Sequence, residues 1–474
     1  MSDFNYDQEA YRDSIATIGE DGKRNFIYPK KPKGKFYQWR TWVSIILLVL
    51  LFGLPHVYFQ GEPLFLFNVL ERKFIVFGII FWPQDFFIFV LSALTAVVGI
   101  ILFTVIYGRV WCGWMCPQTI FMEMVFRKIE YWIDGDYGQQ KRLNKLPWNT
   151  EKVIKRVKKW VIFWIISFLI ANTFLSYIIG AEALWSIVTD PPSQHIGGLI
   201  ALIVFTFVFF FVFLWFREQA CIAVCPYGRL QGVLLDKKSI QVAYDYVRGE
   251  NRGRFKKRED RTAEGKGDCI DCDLCVAVCP TGIDIRNGSQ MECVNCTACM
   301  DACDSVMEKV NLQKGLIRYA SEEMISEKKP FEFNFRMKAY TGVLIVLMIT
   351  VTTILLNRSV VGATIVRVPG TQYKKVETDI LNIYNYKLIN KSHEAMDLNF
   401  KLISHEGKIE VVGKADGLIT IENQNSTEGT MMIYIPRALT ESKKTMIEVQ
   451  VLNGDQLIET VDVTFSSPYK RKKK

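Results

Sequence analysis

The chain has 474 residues, 50% of them apolar and 23% charged, with 32 Phe and a formal net charge of +9. That mixture excludes a bare membrane bundle, which carries fewer charges, and an ordinary soluble enzyme, which lacks long apolar runs. The length suggests roughly two to four structural units at ~100–200 residues each, and the basic residues flank apolar runs, where they orient a chain in a bilayer, so nucleic acid is not expected as a partner.

In chain order, residues 1–41 form a polar tail carrying Lys23, Arg24, Lys30, Lys31, Lys33 and Lys35. It has no short apolar core and no small-residue cleavage site, so no signal peptide is expected. Five apolar segments reach the ~20 residues that a spanning helix needs. They are Trp42–Phe59, Asp85–Tyr107, Trp160–Ile179, Ile196–Phe216 and Met337–Leu356. Leu64–Phe81 is also apolar, but Glu71, Arg72 and Lys73 interrupt it, and it reads as an interfacial or re-entrant piece.

Lys and Arg crowd the tail, the connector after the second span and the region after the fourth, whereas Gly180–His195 has neither. This asymmetry predicts an N-terminus inside, with the tail cytoplasmic. Residues 42–216 then hold the first four spans, 217–336 form a cytoplasmic region, 337–356 the fifth span and 357–474 an extracytoplasmic segment. In that last segment short alternating runs, Ala395–Ile403, Lys408–Val412, Thr430–Ile435, Thr445–Leu452 and Glu459–Phe465, are separated by turn residues. They predict an all-β, immunoglobulin-like sandwich without the disulfide. The Lys470–Lys474 tail is read as disordered.

All 12 cysteines lie between Cys112 and Cys303, and their usage points to a reducing compartment. Cys269, Cys272, Cys275 and Cys279 form one C-x2-C-x2-C-x3-C run, and Cys293, Cys296, Cys299 and Cys303 form another. Three closely spaced thiolates wrap one cubane and the fourth crosses to its neighbour. One [4Fe–4S] cluster is therefore assigned to Cys269, Cys272, Cys275 and Cys303, and a second to Cys293, Cys296, Cys299 and Cys279. Zinc also accepts four thiolates, but two complete runs side by side favour iron–sulfur. The expected architecture is an α-helical transmembrane bundle of about five spans, with an inserted bacterial-type 2[4Fe–4S] ferredoxin module (α+β, near residues 260–310) and the C-terminal sandwich.

A second pattern is repeated. The second span runs into Cys112-Gly-Trp-Met-Cys116-Pro117 and the fourth into Cys221-Ile-Ala-Val-Cys225-Pro226. Residues four apart share a helix face, and each proline suits the first turn of a new helix. After Pro117, the residues Ile120, Phe121, Met124, Val125, Ile129 and Trp132 read as an amphipathic helix lying along the membrane. Four thiolates from two helices suit Cu(I), and equally zinc or a cycling disulfide. Buried cysteine is also an ordinary small apolar residue. Met115, Met122 and Met124 are read as packing residues. Of the four histidines, His56, His195, His393 and His405, none sits centrally in a span, so haem is not expected. No Gly-rich dinucleotide or phosphate loop is present.

Lys30-Lys31-Pro32-Lys33-Gly34, the two C-x3-C-P motifs, the Cys279–Arg286 stretch and Gly315-Leu-Ile-Arg-Tyr319 together resemble the cbb(3)-type cytochrome c oxidase accessory proteins of the CcoG/FixG/RdxA type. The resemblance implies a multi-pass protein of the bacterial cytoplasmic membrane that reduces Cu(II) to Cu(I) while the oxidase's copper centre is assembled. It implies an unidentified electron donor, the oxidase or its copper-delivery factors as partners, and copper binding or reduction at Cys112, Cys116, Cys221 and Cys225. The oligomeric state is left open, a homodimer included. Related electron-transfer proteins suggest a quinol-linked conduit as the alternative enzyme reading. A non-catalytic assembly scaffold is the alternative outside enzymes.

Overall fold

The computed structural model describes residues 17–18, 23–59, 61–69, 73–81, 86–256, 260–261, 263–357, 359–392, 394–414, 416–423, 425–440 and 443–468. Glu71, Arg72, Asp85, His393 and the Lys470–Lys474 tail lie outside them. The chain divides into two compact units: residues 1–58, 63–71 and 91–348, and residues 59–62, 72–90 and 349–474.

Five helices are long and apolar enough to cross a membrane: Lys35–His56, Phe86–Tyr107, Thr150–Ile179, Ile196–Phe216 and Phe335–Leu356. Within lipid a helix is one of the few ways to satisfy every backbone N–H and C=O internally. The third begins well before its apolar stretch. Asn149 caps it by accepting from the Lys152 backbone N–H at 2.9 Å, and Gly180 ends it with φ +88°. The fourth is α-helical to Phe211 and then widens into a π-helical turn, Val212–Phe216.

In the first unit, Phe126, Phe163, Phe213 and Ile170 form an aromatic core. Phe126 stacks on Phe213 with ring centroids 4.4 Å apart and meets Phe163 edge-on at 4.7 Å. The segment after Pro117 departs from its sequence reading. It forms a π-helical stretch, Ile120–Phe126, and then a helix, Arg127–Ile133. Ile120, Phe121, Met122, Met124 and Phe126 are buried in the bundle rather than spread along a bilayer surface, and only Trp132 stands exposed. The Leu64–Phe81 stretch likewise contains strands, Phe65–Asn68, Lys73–Val76 and Ile79–Phe81.

The cysteine-rich module begins at strand Gln241–Tyr244, which pairs antiparallel with Ile317–Ala320. Between them lie the short helix Leu274–Ala277 and the longer Ala298–Lys309. Asp271 and Asp273 flank Cys272, and Asn295 and Thr297 flank Cys296; all four have left-handed backbone with φ between +52° and +64°. The same pair of bends in both runs curls each set of three cysteines inward, and Asp and Asn tolerate that conformation better than most residues. The module is tied to the first span through Asp301, whose carboxylate accepts from the Phe36 and Tyr37 N–H groups at 3.1 and 2.7 Å. These are free donors at the start of the span helix.

The second unit is a β-sandwich. One sheet has the order Lys408–Val411, Ser426–Pro436, Asp379–Asn390, Val361–Arg367, with Lys374–Val376 also on Asp379–Asn390. The other has the order Ile419–Ile421, Met396–Leu402, Lys444–Asn453, Gln456–Ser466. Inward residues such as Tyr384, Ile433, Val449 and Phe465 are fully buried. Tyr384 Oη donates to Thr464 O at 3.0 Å and Asn382 Nδ2 to Ser466 O at 2.8 Å, joining the two sheets.

Candidate metal centres

The two cysteine runs enclose two cavities. Cys269, Cys272, Cys275 and Cys303 line the first, of ≈ 380 Å³, with Tyr244, Leu316, Ile317 and Met307. Cys279, Cys293, Cys296 and Cys299 line the second, of ≈ 350 Å³, with Val242, Ile283, Ile285 and Val294. The first cavity thus receives three thiols from one run and Cys303 from the other, and the second three from the latter run with Cys279 and the edge of Cys275 from the former. Cys275 borders both.

Burial pushes the thiols of Cys275, Cys293 and Cys303 up to about 12 and that of Cys296 to about 11; the Cys299 thiol is also raised by burial. Thiolates in such apolar walls need a compensating cation, which is what iron supplies. An all-sulfur donor set in two apolar chambers fits [4Fe–4S] clusters. Arg286 fastens the first run by pairing with Asp271 at 2.7 Å, Asp273 at 2.6 Å and Asp284 at 2.7 Å. Of the eight thiols, Cys272 alone is exposed.

The C-x3-C-P motifs form a third sulfur group. Cys116 and Cys225 are extended at ψ 125° and 111°, and each is followed by a proline that opens a helix, Pro117–Thr119 and Pro226–Leu234. The four thiols lie within electrostatic reach of one another: the charges of Cys116, Cys112 and Cys225 all add to the rise of Cys221, which burial first drives up to about 12. Burial also pushes Cys112 up to about 11, and its thiol donates to Gln231 Oε1 at 3.3 Å. Among the described residues, no three His, Cys, Asp or Glu side chains converge closely enough to hold a single ion.

This group lies against the second chamber. A side chain at Gly113 would place its Cβ 2.5 Å from Val294 O and 2.6 Å from Asn295 O, in the loop between Cys293 and Cys296. Arg40 Nε donates to Gly113 O at 2.6 Å, and Trp114 Nε1 to Tyr319 Oη at 3.1 Å. A further cavity of ≈ 320 Å³ is lined by Cys221, Thr119 and Met122 together with Pro280, Thr281 and Val294.

Behind the motifs runs a buried ionic network. Arg217, left-handed at φ +52°, makes a two-pronged contact with Glu130 at 2.8 and 2.9 Å. Lys159 reaches Asp134 at 2.8 Å and Glu130 at 3.4 Å. Arg127 reaches Glu123 at 3.2 Å and Glu218 at 3.5 Å. The network anchors the residues just before Cys221. Arg40, Gly113, Gln231 and the Arg217–Glu130 and Lys159–Glu130 pairs have no signature in the sequence, because their partners are distant along the chain. Two of the histidines remain local: His195 pairs with Asp190 and His405 with Ser404.

Comparison with known proteins places these features. Residues 216–322 match a 4Fe-4S dicluster domain, residues 89–137 a 4Fe-4S binding domain, and residues 351–468 the IG-like fold at the C-terminal end of FixG. The chain is 37% identical to nitrogen fixation protein FixG of Rhizobium meliloti over 63% of its own length and 58% of FixG. It is 35% identical to protein RdxA of Cereibacter sphaeroides, covering 80% of this chain and 82% of RdxA, and 32% identical to RdxB of the same organism, covering 86% of each. The fold and the cysteine chambers define an iron–sulfur electron-transfer protein with five helices fit to span a membrane. The chain belongs to the FixG/RdxA family.

Proposed function

We propose that this protein carries single electrons through its cysteine-rich module to the C-x3-C-P thiols at the membrane edge, where Cu(II) is reduced to Cu(I) for the copper centre of a cbb(3)-type cytochrome c oxidase. When bound, [4Fe–4S] clusters supply one-electron storage at the module. Cys269, Cys272, Cys275 and Cys303 hold one, and Cys279, Cys293, Cys296 and Cys299 the other. The observation that carries the reading is the close approach of Gly113 to Val294 and Asn295, which sets the Cys112 helix directly on the wall of the second chamber.

Copper enters as substrate. The couple Cu(II)/Cu(I) takes one electron, matching what a cubane releases, and soft sulfur surroundings favour the reduced ion. Most of the module's chamber walls are apolar, and every module thiol but that of Cys272 is at least partly buried. The Lys and Arg pattern supports a cytoplasmic module and an extracytoplasmic sandwich, the side on which the sandwich meets the oxidase or its copper-delivery factors.

The test is the full-length protein reduced anaerobically with dithionite, separated from excess reductant and mixed with Cu(II) and a Cu(I)-specific chelator. Copper reduction in step with cluster reoxidation is expected. Serine at Cys112, Cys116, Cys221 and Cys225 should abolish it while the module's EPR signals persist. Undiminished reduction in that variant removes the thiols from the pathway.

A further inference from the structure

We infer that Cys112, Cys116, Cys221 and Cys225 are the ligands of a third [4Fe–4S] cluster, placed between the module and the membrane edge. The inference rests on the reading of these thiols as the electron exit and says what occupies them.

Residues 89–137 match a 4Fe-4S binding domain, yet Cys112 and Cys116 are the only thiols in that stretch. Two thiolates cannot complete a cubane that takes four. The fold supplies the missing pair from the repeat of the same motif, Cys221 and Cys225: the Cys112 thiol reaches Gln231 at 3.3 Å on the helix that Cys225 precedes, and the charges of Cys112, Cys116 and Cys225 all act on Cys221. The set is then all-sulfur, like each set in the module.

Buried polar groups also face these thiols. Gln231 is fully buried, its Oε1 accepts from the Cys112 thiol, and its side chain lies beside Tyr227. A cluster-bound Cys112 has no proton to give. The amide then turns and donates Nε2–H to sulfur, the kind of bond that tunes cluster potentials. Arg109 is also buried, its charge acts on Cys112, and its guanidinium is held there by donating to Met291 O and, at 2.6 Å, to Gly228 O. It offsets the negative charge of a thiolate-ligated cubane.

The geometry makes the electron's route contiguous. From the second chamber it crosses the Val294–Asn295 backbone to Gly113, whose neighbour Cys112 holds the third cluster. A cluster held by these four thiolates would supply a one-electron centre at this end of the route.

The experiment is iron and acid-labile sulfide analysis, with Mössbauer spectroscopy, on the anaerobically purified full-length wild-type protein. The expected content is about twelve irons and twelve sulfides per chain, against about eight for the module alone. About eight overturns the inference without any variant needing to fold. In the four-serine variant about four irons should be lost while the module's signals stay. Wild-type-level iron in that variant also overturns it. The two readings separate cleanly. About eight irons with thiol-dependent copper reduction sinks the third cluster and leaves the proposed function standing. About twelve irons without copper reduction keeps the cluster and removes copper as the acceptor.

Discussion

Gly113 touches the carbonyl of Val294 so closely that a methyl group in its place would sit 2.5 Å from the oxygen. One glycine therefore sets the distance between the membrane-edge thiols and the second sulfur chamber. Both partners of the clash are backbone, so little can give way. Gly113→Ala should cost about 1–3 kcal/mol through overpacking. Thermal unfolding in detergent should show a lowered midpoint, and copper reduction should slow with the module's EPR signals unchanged. An alanine variant as fast and as stable as wild type would remove this contact from the route.

Removing Glu130 leaves Arg217 and Lys159 buried without their shared carboxylate. Breaking one partner of a buried pair costs about 3–5 kcal/mol. Glu130→Ala should therefore unfold at markedly lower temperature, and the loss should exceed that of the exposed-pair variant Glu151→Ala, whose i,i+4 partner is Lys155.

The same carboxylate gives a pH signature. Burial works to raise its pKa, but the charges of Arg217, Lys159 and Arg127 outweigh burial and hold it down at about 2, against an ordinary 4.5. A depressed carboxylate contributes stability that is fully present above its unfolded value and is lost as pH falls through the folded one. Stability should decline between about pH 4.5 and pH 2, and Glu130→Gln should flatten that part of the curve in pH-resolved melts.

The crossing of the fourth cysteines is separable by spectroscopy. Cys303 sits with Cys269, Cys272 and Cys275, although it belongs to the other run. Cys303→Ser should perturb the signal of the first chamber, and Cys279→Ser that of the second. If Cys303→Ser altered the same signal as Cys299→Ser, the two runs would ligate separately.

Iron removal should act on one unit only. The sandwich at residues 351–468 contains no cysteine and holds its two sheets together through a core that includes Tyr384, Ile433 and Phe465. After chelation under denaturing conditions and refolding, limited proteolysis should cut the module between Gly253 and Leu316 while the sandwich survives. Equal loss of both would mean that the sandwich depends on the clusters.

The thiols that line each chamber are legible in the sequence because most of each group is local: spacing alone brings three together, and the crossing rule adds Cys303 to one and Cys279 to the other. Spanning helices are legible because bilayer thickness imposes a length. The strand Asp379–Asn390 escapes the alternation pattern because its Asn382 and Asn390 are buried and satisfied by backbone carbonyls, Ser466 O for one and Glu394 O for the other. The segment after Pro117 reads as a surface helix because its apolar stripe fits either a bilayer or a protein core. Only the arrival of Phe163 and Phe213 from other helices decides between them. The contacts of Arg217 with Glu130 and of Cys112 with Gln231 join residues 87 and 119 apart, and no local pattern encodes them.

Cys272 is the one module thiol that faces solvent. Dioxygen and chelators should therefore arrive first at the first chamber, and iron bound there should be the first to be lost. Protein handled in air should pass through a half-decayed form that keeps the inner centre while losing the outer one. A biochemist working in air would meet a shortened circuit and misjudge how many centres the chain was built to carry.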